Sequence, residues 1–340
     1  MTPAARLDEP LLFERQFLEK IWGGRVLERA LGIPLPNGML IGETWEISDL
    51  PGRNSVVARG KYKGRTLREM MATFGDAILG RAAPSADGSF PLLVKYLDAT
   101  RNLSVQVHPH RGMAHTLLPG ESPKTECWYV LAAEPEGGIW HGLRKGVEID
   151  KLASAVSGPE IVPLLAWYRA EPGQFYFVPG GTVHSIGAGV TLVEIQETSD
   201  TTYRLYDWDR TGLDGRPRTT SVERALRAVR QPRELRKPRR PYRRGIERKD
   251  DVNRRGVCAD CDEFAVDLLD LETGLDIEPL GVAVVYVVVQ GAGRLLARGG
   301  SESFDLRIGD AWLVPASLER HRLEPQGSLR VLQARTKGAA

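Results

Sequence analysis

Seven short β-type runs, at residues 91–99, 102–108, 127–133, 173–181, 189–197, 282–293 and 309–317, are bounded by Gly, Pro, Asp or a neighbouring polar turn. Strands spaced this closely predict an all-β sandwich or barrel, with helices as trimmings. A single helix is expected, over the stretch Thr66–Leu79. Gly173 to Pro179 and Gly309 to Pro315 repeat one pattern: glycine, five strand residues, proline. The echo sits late in each half of the chain and predicts a mainly β protein of two tandem jelly-roll barrels with a few peripheral helices.

The 340 residues are enough for two such units. The boundaries expected are a catalytic domain with an N-terminal extension at 1–228, a connector at 229–256 and a C-terminal β domain at 257–340. Net charge is only +2, but residues 224–255 carry 14 Lys or Arg against four acids, a local +10 that leaves −8 for the rest. That segment has one aromatic, Tyr242, and no base-reading module, so it reads as a solvated connector and not as a nucleic-acid stripe. Cys127, Cys258 and Cys261 are odd in number and too few for a disulfide framework, and no apolar run approaches the ~20 residues of a membrane span. A cytoplasmic address follows, with no membrane or nucleic-acid partner. The pair Cys258 and Cys261 lacks the second pair that would make it a zinc site, so both read as incidental thiols.

Two of the six histidines stand in metal-like settings. In Leu-Ser104-Val-Gln106-Val-His108-Pro, period-2 alternation turns Gln106 and His108 to one face while Val105 and Val107 take the other. Lys124 and Glu126 share a face at the start of a later strand. Past Pro179 and Gly181 a tight turn delivers His184. Two imidazoles, a carboxylate and an amide oxygen suit Zn²⁺ or another divalent first-row ion.

Gly173, Pro179, Gly181 and His184 match the spacing of the second cupin motif, lacking only the asparagine sometimes found four residues after the histidine. The first motif is altered, with Gln106-Val-His108 in place of His-x-His and the acid displaced to Glu126. This alteration resembles the type I phosphomannose isomerase family. So do Trp22-Gly-Gly, Gly-Glu43-Thr-Trp45-Glu, Leu-Val-Lys95-Tyr-Leu-Asp, Lys124-Thr-Glu126-Cys-Trp and Asp200-Thr-Thr-Tyr-Arg204-Leu-Tyr-Asp-Trp-Asp, in the family's order over about residues 20–210. Only 58 residues separate Glu126 from His184, which leaves no room for the helical insertion of the long forms and is similar to the short bacterial form. His110 stands where the family usually has an acid, and the C-terminal half matches poorly.

The resemblance implies one catalytic zinc on Gln106, His108, Glu126 and His184, Arg204 in the active site, and a small sugar phosphate as substrate. Interconverting mannose 6-phosphate and fructose 6-phosphate then needs an electrophile, a base and a phosphate grip. Arg204 suits the enediolate charge, and Lys124 adds charge beside the metal. Glu194, alternating with apolar neighbours, is the candidate base, with a second reading as the partner that orients His184. Asp200 is expected to orient Arg204. Ser104, Lys95 and an arginine of the connector are candidates for the phosphate, with Lys95 equally suited to a structural ion pair. Trp22, Glu43 and Trp45 are expected to wall the pocket. In the second half Arg320 holds the metal position and His321 falls one residue beyond it, so that barrel is expected to be metal-free. A dioxygenase-type metal cupin and a non-catalytic sugar-phosphate-binding cupin are the alternatives; Gln106 as a ligand and the presence of Arg204 and Lys124 weigh against them. For assembly the expectation is a monomer or weak homodimer.

Overall fold

The computed structural model describes residues 7–156, 158–230, 252–318 and 320–337. The chain is mainly β with a few short helices. The expected helix forms at Leu67–Leu79, where Thr66 and Glu69 close a reciprocal capping box. Most of the connector, residues 231–251, lies outside the described residues.

Two sheets make up the first half. A six-stranded antiparallel sheet runs in the order Phe175–Val178, Glu126–Ala133, Val190–Glu197, Leu92–Ala99, Ile41–Ile47, Gln16–Gly24. A five-stranded sheet runs Leu165–Arg169, Gly138–Leu143, His184–Ile186, Val105–Val107, Tyr203–Tyr206. They meet through a shared apolar cluster that includes Leu97, Trp128 and Leu192 from one and Ile139 and Ile186 from the other. A third sheet, built on the long strands Val284–Ala297 and His321–Thr336, also takes in Leu11–Leu12, which pairs with Ala311–Val314. The N-terminal segment therefore belongs in part to the second half's sheet, which sequence periodicity did not indicate. Among the described residues no sheet closes on itself, so the fold bears out a mainly β chain but not the two tandem barrels.

The six-stranded sheet is buried on both faces, and parity assigns its side chains. Val94, Tyr96, Cys127, Tyr129, Val193 and Ile195 pack with Val285 and Leu332 of the third sheet. The opposite face carries Leu97, Trp128 and Leu192, and the same parity puts Lys95, Glu126 and Glu194 there. Cys127, Cys258 and Cys261 pack in the cluster on the side away from these three charged residues.

Candidate metal centre and adjoining cavity

Across the five-stranded sheet Arg204 pairs with Gln106, Gln106 with His184 and His184 with His141, which sets four polar side chains in one row. Val105 and Val107 pack on the opposite side, as the alternation requires. Glu126 enters from the facing sheet. His108, Glu126 and His184, all buried, bring ligand atoms within 4.8 Å of one another. His108 Nε2 lies 3.3 Å from Glu126 Oε2, and His184 Nε2 3.4 Å from Glu126 Oε1.

The rings are fixed from behind. His108 Nδ1 meets the Thr201 carbonyl at 2.9 Å and His184 Nδ1 the Thr182 carbonyl at 2.8 Å, so each Nδ1 carries a proton and each Nε2 is turned to the centre. Gly181, at φ +91° where a Cβ would be strained, donates its N–H to the His108 carbonyl and ties the two histidine segments together. His108 Nε2 and both Glu126 oxygens have no well-aligned hydrogen bond among the described residues, although Lys124 Nζ stands 2.7 Å from Oε2. Burial would raise the Glu126 carboxyl, but Lys124 and His108 outweigh it and hold the group well below its ordinary range. Burial lowers His184 to about 3, so its imidazole stays neutral. A buried carboxylate facing two imidazole Nε2 atoms is a donor set that fits a divalent cation. Gln106 Nε2 donates to His184 Nε2 at 3.1 Å and Ser104 Oγ to Gln106 Oε1 at 3.1 Å. A half-turn of the amide exchanges its O and N and turns the oxygen toward the same centre.

A cavity of about 250 Å³ adjoins this centre, walled by Trp22, Glu43, Lys95, Ser104, Gln106, Lys124, Glu194, Asp200 and Arg204. Lys20, Thr202 and Arg218 also line it, and sequence reading had singled out none of the three. Five cationic side chains face three carboxylates there. Trp45 lies beneath, with the Lys95 ammonium 4.6 Å from its ring and its Nε1 donating to Glu43 at 2.7 Å. Burial opposes ionisation of Glu43, but Lys95 and Lys20 prevail and hold it at about 2.

Glu194 lines the cavity, accepts from Trp128 Nε1 at 3.1 Å and pairs with Lys95 at 3.4 Å and Lys124 at 3.8 Å. Burial and the Glu126 charge push its carboxyl up against the pull of Lys124 and Lys95. It does not orient His184, because the Thr182 carbonyl already occupies that ring's Nδ1. Asp200 does not orient Arg204 either: it pairs with Lys95 at 3.8 Å, while Arg204 donates through NH1 to the Thr219 carbonyl at 2.8 Å. Arg204 Nε is buried without a hydrogen-bond partner among the described residues. Arg218 and Arg210 share Asp207, at 3.1 and 3.0 Å. The loop that holds Arg218 brings a guanidinium to the cavity, while most of the connector lies outside the described residues. In the second half, His321 Nε2 meets the Tyr286 hydroxyl at 2.9 Å.

Fold and site together define a mainly β protein with a buried His–Glu–His centre, capable of holding a metal, beside a cation-rich cavity. Residues 11–136 match the family model "Phosphomannose isomerase type I, catalytic domain". The chain is 33% identical to "Mannose-6-phosphate isomerase ManA" of Bacillus subtilis over 93% of this chain and 96% of that one. It is 32% identical to "Mannose-6-phosphate isomerase" of Streptococcus mutans over 95% and 97%. The crystal structure of the mannose 6-phosphate isomerase from Bacillus subtilis superposes with TM-score 0.85 at 29% identity, covering 96% of this chain and 99% of that chain. The chain belongs to the type I phosphomannose isomerase family and is an isomerase.

Proposed function

We propose that the chain interconverts D-mannose 6-phosphate and D-fructose 6-phosphate by enediol(ate) proton transfer between C1 and C2, with one Zn²⁺ held by Gln106, His108, Glu126 and His184. The observation that carries this reading is the convergence of two tethered imidazoles and a buried carboxylate beside a cavity with five cationic side chains. When bound, the ion supplies electrophilic polarisation of the sugar oxygens.

The remaining roles fall to the chain. Glu194 takes and returns the proton: it lines the cavity, and a carboxyl pushed up by burial is closer to the working pH than an exposed one. Lys95 and Lys124 stabilise its ionised form. Arg204, next to Gln106 in the sheet and with its Nε unpaired, faces the developing enediolate charge. Lys20 and Arg218 grip the phosphate, joined by Ser104. Asp200 and Glu43 both hold Lys95, Glu43 also holds Lys20, and Trp22 closes the wall.

The facing sheets of the first half are read as a cupin-type jelly roll that carries the catalysis, at 1–228, and residues 257–340 as a degenerate second unit. Three free thiols support a reducing, cytoplasmic setting, and no helix among the described residues is long and apolar enough to cross a membrane. The test is a coupled assay for fructose 6-phosphate formed from mannose 6-phosphate by the protein as purified, after chelation and after zinc is restored. Turnover that falls on chelation and returns with zinc is expected; no turnover by the zinc-loaded protein would sink the reading.

A further inference from the structure

The row of polar side chains does not stop at His184. His141 extends it by one strand and is 1% exposed. Its Nε2 meets the Phe177 carbonyl at 2.9 Å, and its Nδ1 is buried with no hydrogen-bond partner among the described residues. Burial lowers its pKa to about 4, so the ring is a neutral donor.

Phe175–Val178 is the edge strand of the six-stranded sheet, and an outward carbonyl on an edge strand has no ladder partner. His141 supplies one from the other sheet. The strand end it grips is also the start of the Pro179–Gly181 turn, and the far end of that turn is His184, the strand partner of His141 itself. Gly142, next in sequence, donates its N–H to the Val183 carbonyl at 2.8 Å. One short segment, 141–142, therefore holds both ends of the turn that delivers a metal ligand. Val178, directly after the gripped carbonyl, pairs in register with Glu126. The same bond thus fixes how the sheet carrying Glu126 approaches the sheet carrying His184.

We propose that His141 is a positioning residue for the metal centre: its Nε2–H bond to the Phe177 carbonyl clamps the two sheets so that His184 and Glu126 address one ion. The inference rests on the metal reading of the centre. The test measures the rate at which zinc-loaded protein loses zinc to a chromophoric chelator, together with thermal unfolding of the metal-free forms.

His141→Leu removes the donor at similar volume and is expected to release zinc roughly 10- to 100-fold faster, on the scale seen for partners of metal-bound histidines. It gives up the bond to the Phe177 carbonyl together with the unpartnered Nδ1, so its metal-free form should unfold within about 5 °C of wild type. His141→Gln keeps an N–H donor and is expected to stay within about threefold of wild type. Wild-type release from His141→Leu overturns the clamp, as does equally fast release from both variants, since the bond would then not be the cause. A wild-type protein that holds no zinc overturns the metal reading and the clamp with it.

Discussion

In the first half the strand from Gly173 to Pro179 runs into a turn that ends on His184; in the second, the strand from Gly309 to Pro315 leads to His321, one residue further from its proline. His184 arrives opposite Glu126 and beside Gln106, and the acid and His108 keep buried atoms without aligned partners. His321 arrives opposite Tyr286, whose hydroxyl also accepts from Gln333 Nε2 at 3.0 Å. The second corner satisfies itself with hydrogen bonds between its own side chains. The first holds an arrangement that folding alone does not reward, and such local violations mark functional sites.

The contrast breaks most directly at Glu126. Glu126→Gln is expected to lower isomerase activity by roughly 10³-fold or more and to abolish zinc retention, read by coupled assay and metal analysis. The metal-free variant should be less stable than metal-free wild type, because the buried Lys124 ammonium loses the carboxylate 2.7 Å away. Arg204→Ala separates charge stabilisation from metal binding: kcat should fall about 10²- to 10³-fold with zinc content unchanged, and loss of zinc instead would mean that Arg204 supports the centre.

The carboxylates that organise the cavity should also shape its acid stability. Glu43 titrates at about 2 in the folded chain against an ordinary 4.5. A folded value below the unfolded one means its contribution is complete above pH ~4.5 and drains away as pH falls toward ~2, about 3 kcal/mol in all. Glu43→Gln should flatten that part of the pH–stability curve measured by denaturant unfolding. Tyr286→Phe addresses the second corner. It strips the hydroxyl that His321 and Gln333 share, so it should cost about 1–3 kcal/mol of stability and leave kcat and KM of the folded enzyme as they were. A large kcat loss at full folding would show that the second half takes part in the chemistry.

Strand parity made much of the site legible in the sequence. It placed Gln106 and His108 together, Lys124 with Glu126, and Glu194 on an interior face, because a pleated strand forces alternate residues to one side. Which strands stand side by side is a non-local outcome, and there the sequence was silent. Asp200 lies four residues before Arg204, yet its charge goes to Lys95 on another strand. Arg218 sits in a loop without periodicity, and Lys20 reaches the cavity from a strand near the start of the chain, so no pattern flagged either. A lone histidine in an apolar run is ordinary, so nothing local marks His141; its significance appears only once His184 is its neighbour. The helix at 67–79 was legible because its cap is local. The pairing of Leu11–Leu12 with Ala311–Val314, about 300 residues away, was not.

The central claim is that a single ion, held in the first half only, sets the activity. Adding zinc stepwise to chelated protein while following fructose 6-phosphate formation tests it. Activity should rise in proportion and level off at one equivalent per chain, with no rise for Glu126→Gln. Activity indifferent to zinc, or a plateau reached only at two equivalents, would contradict the account.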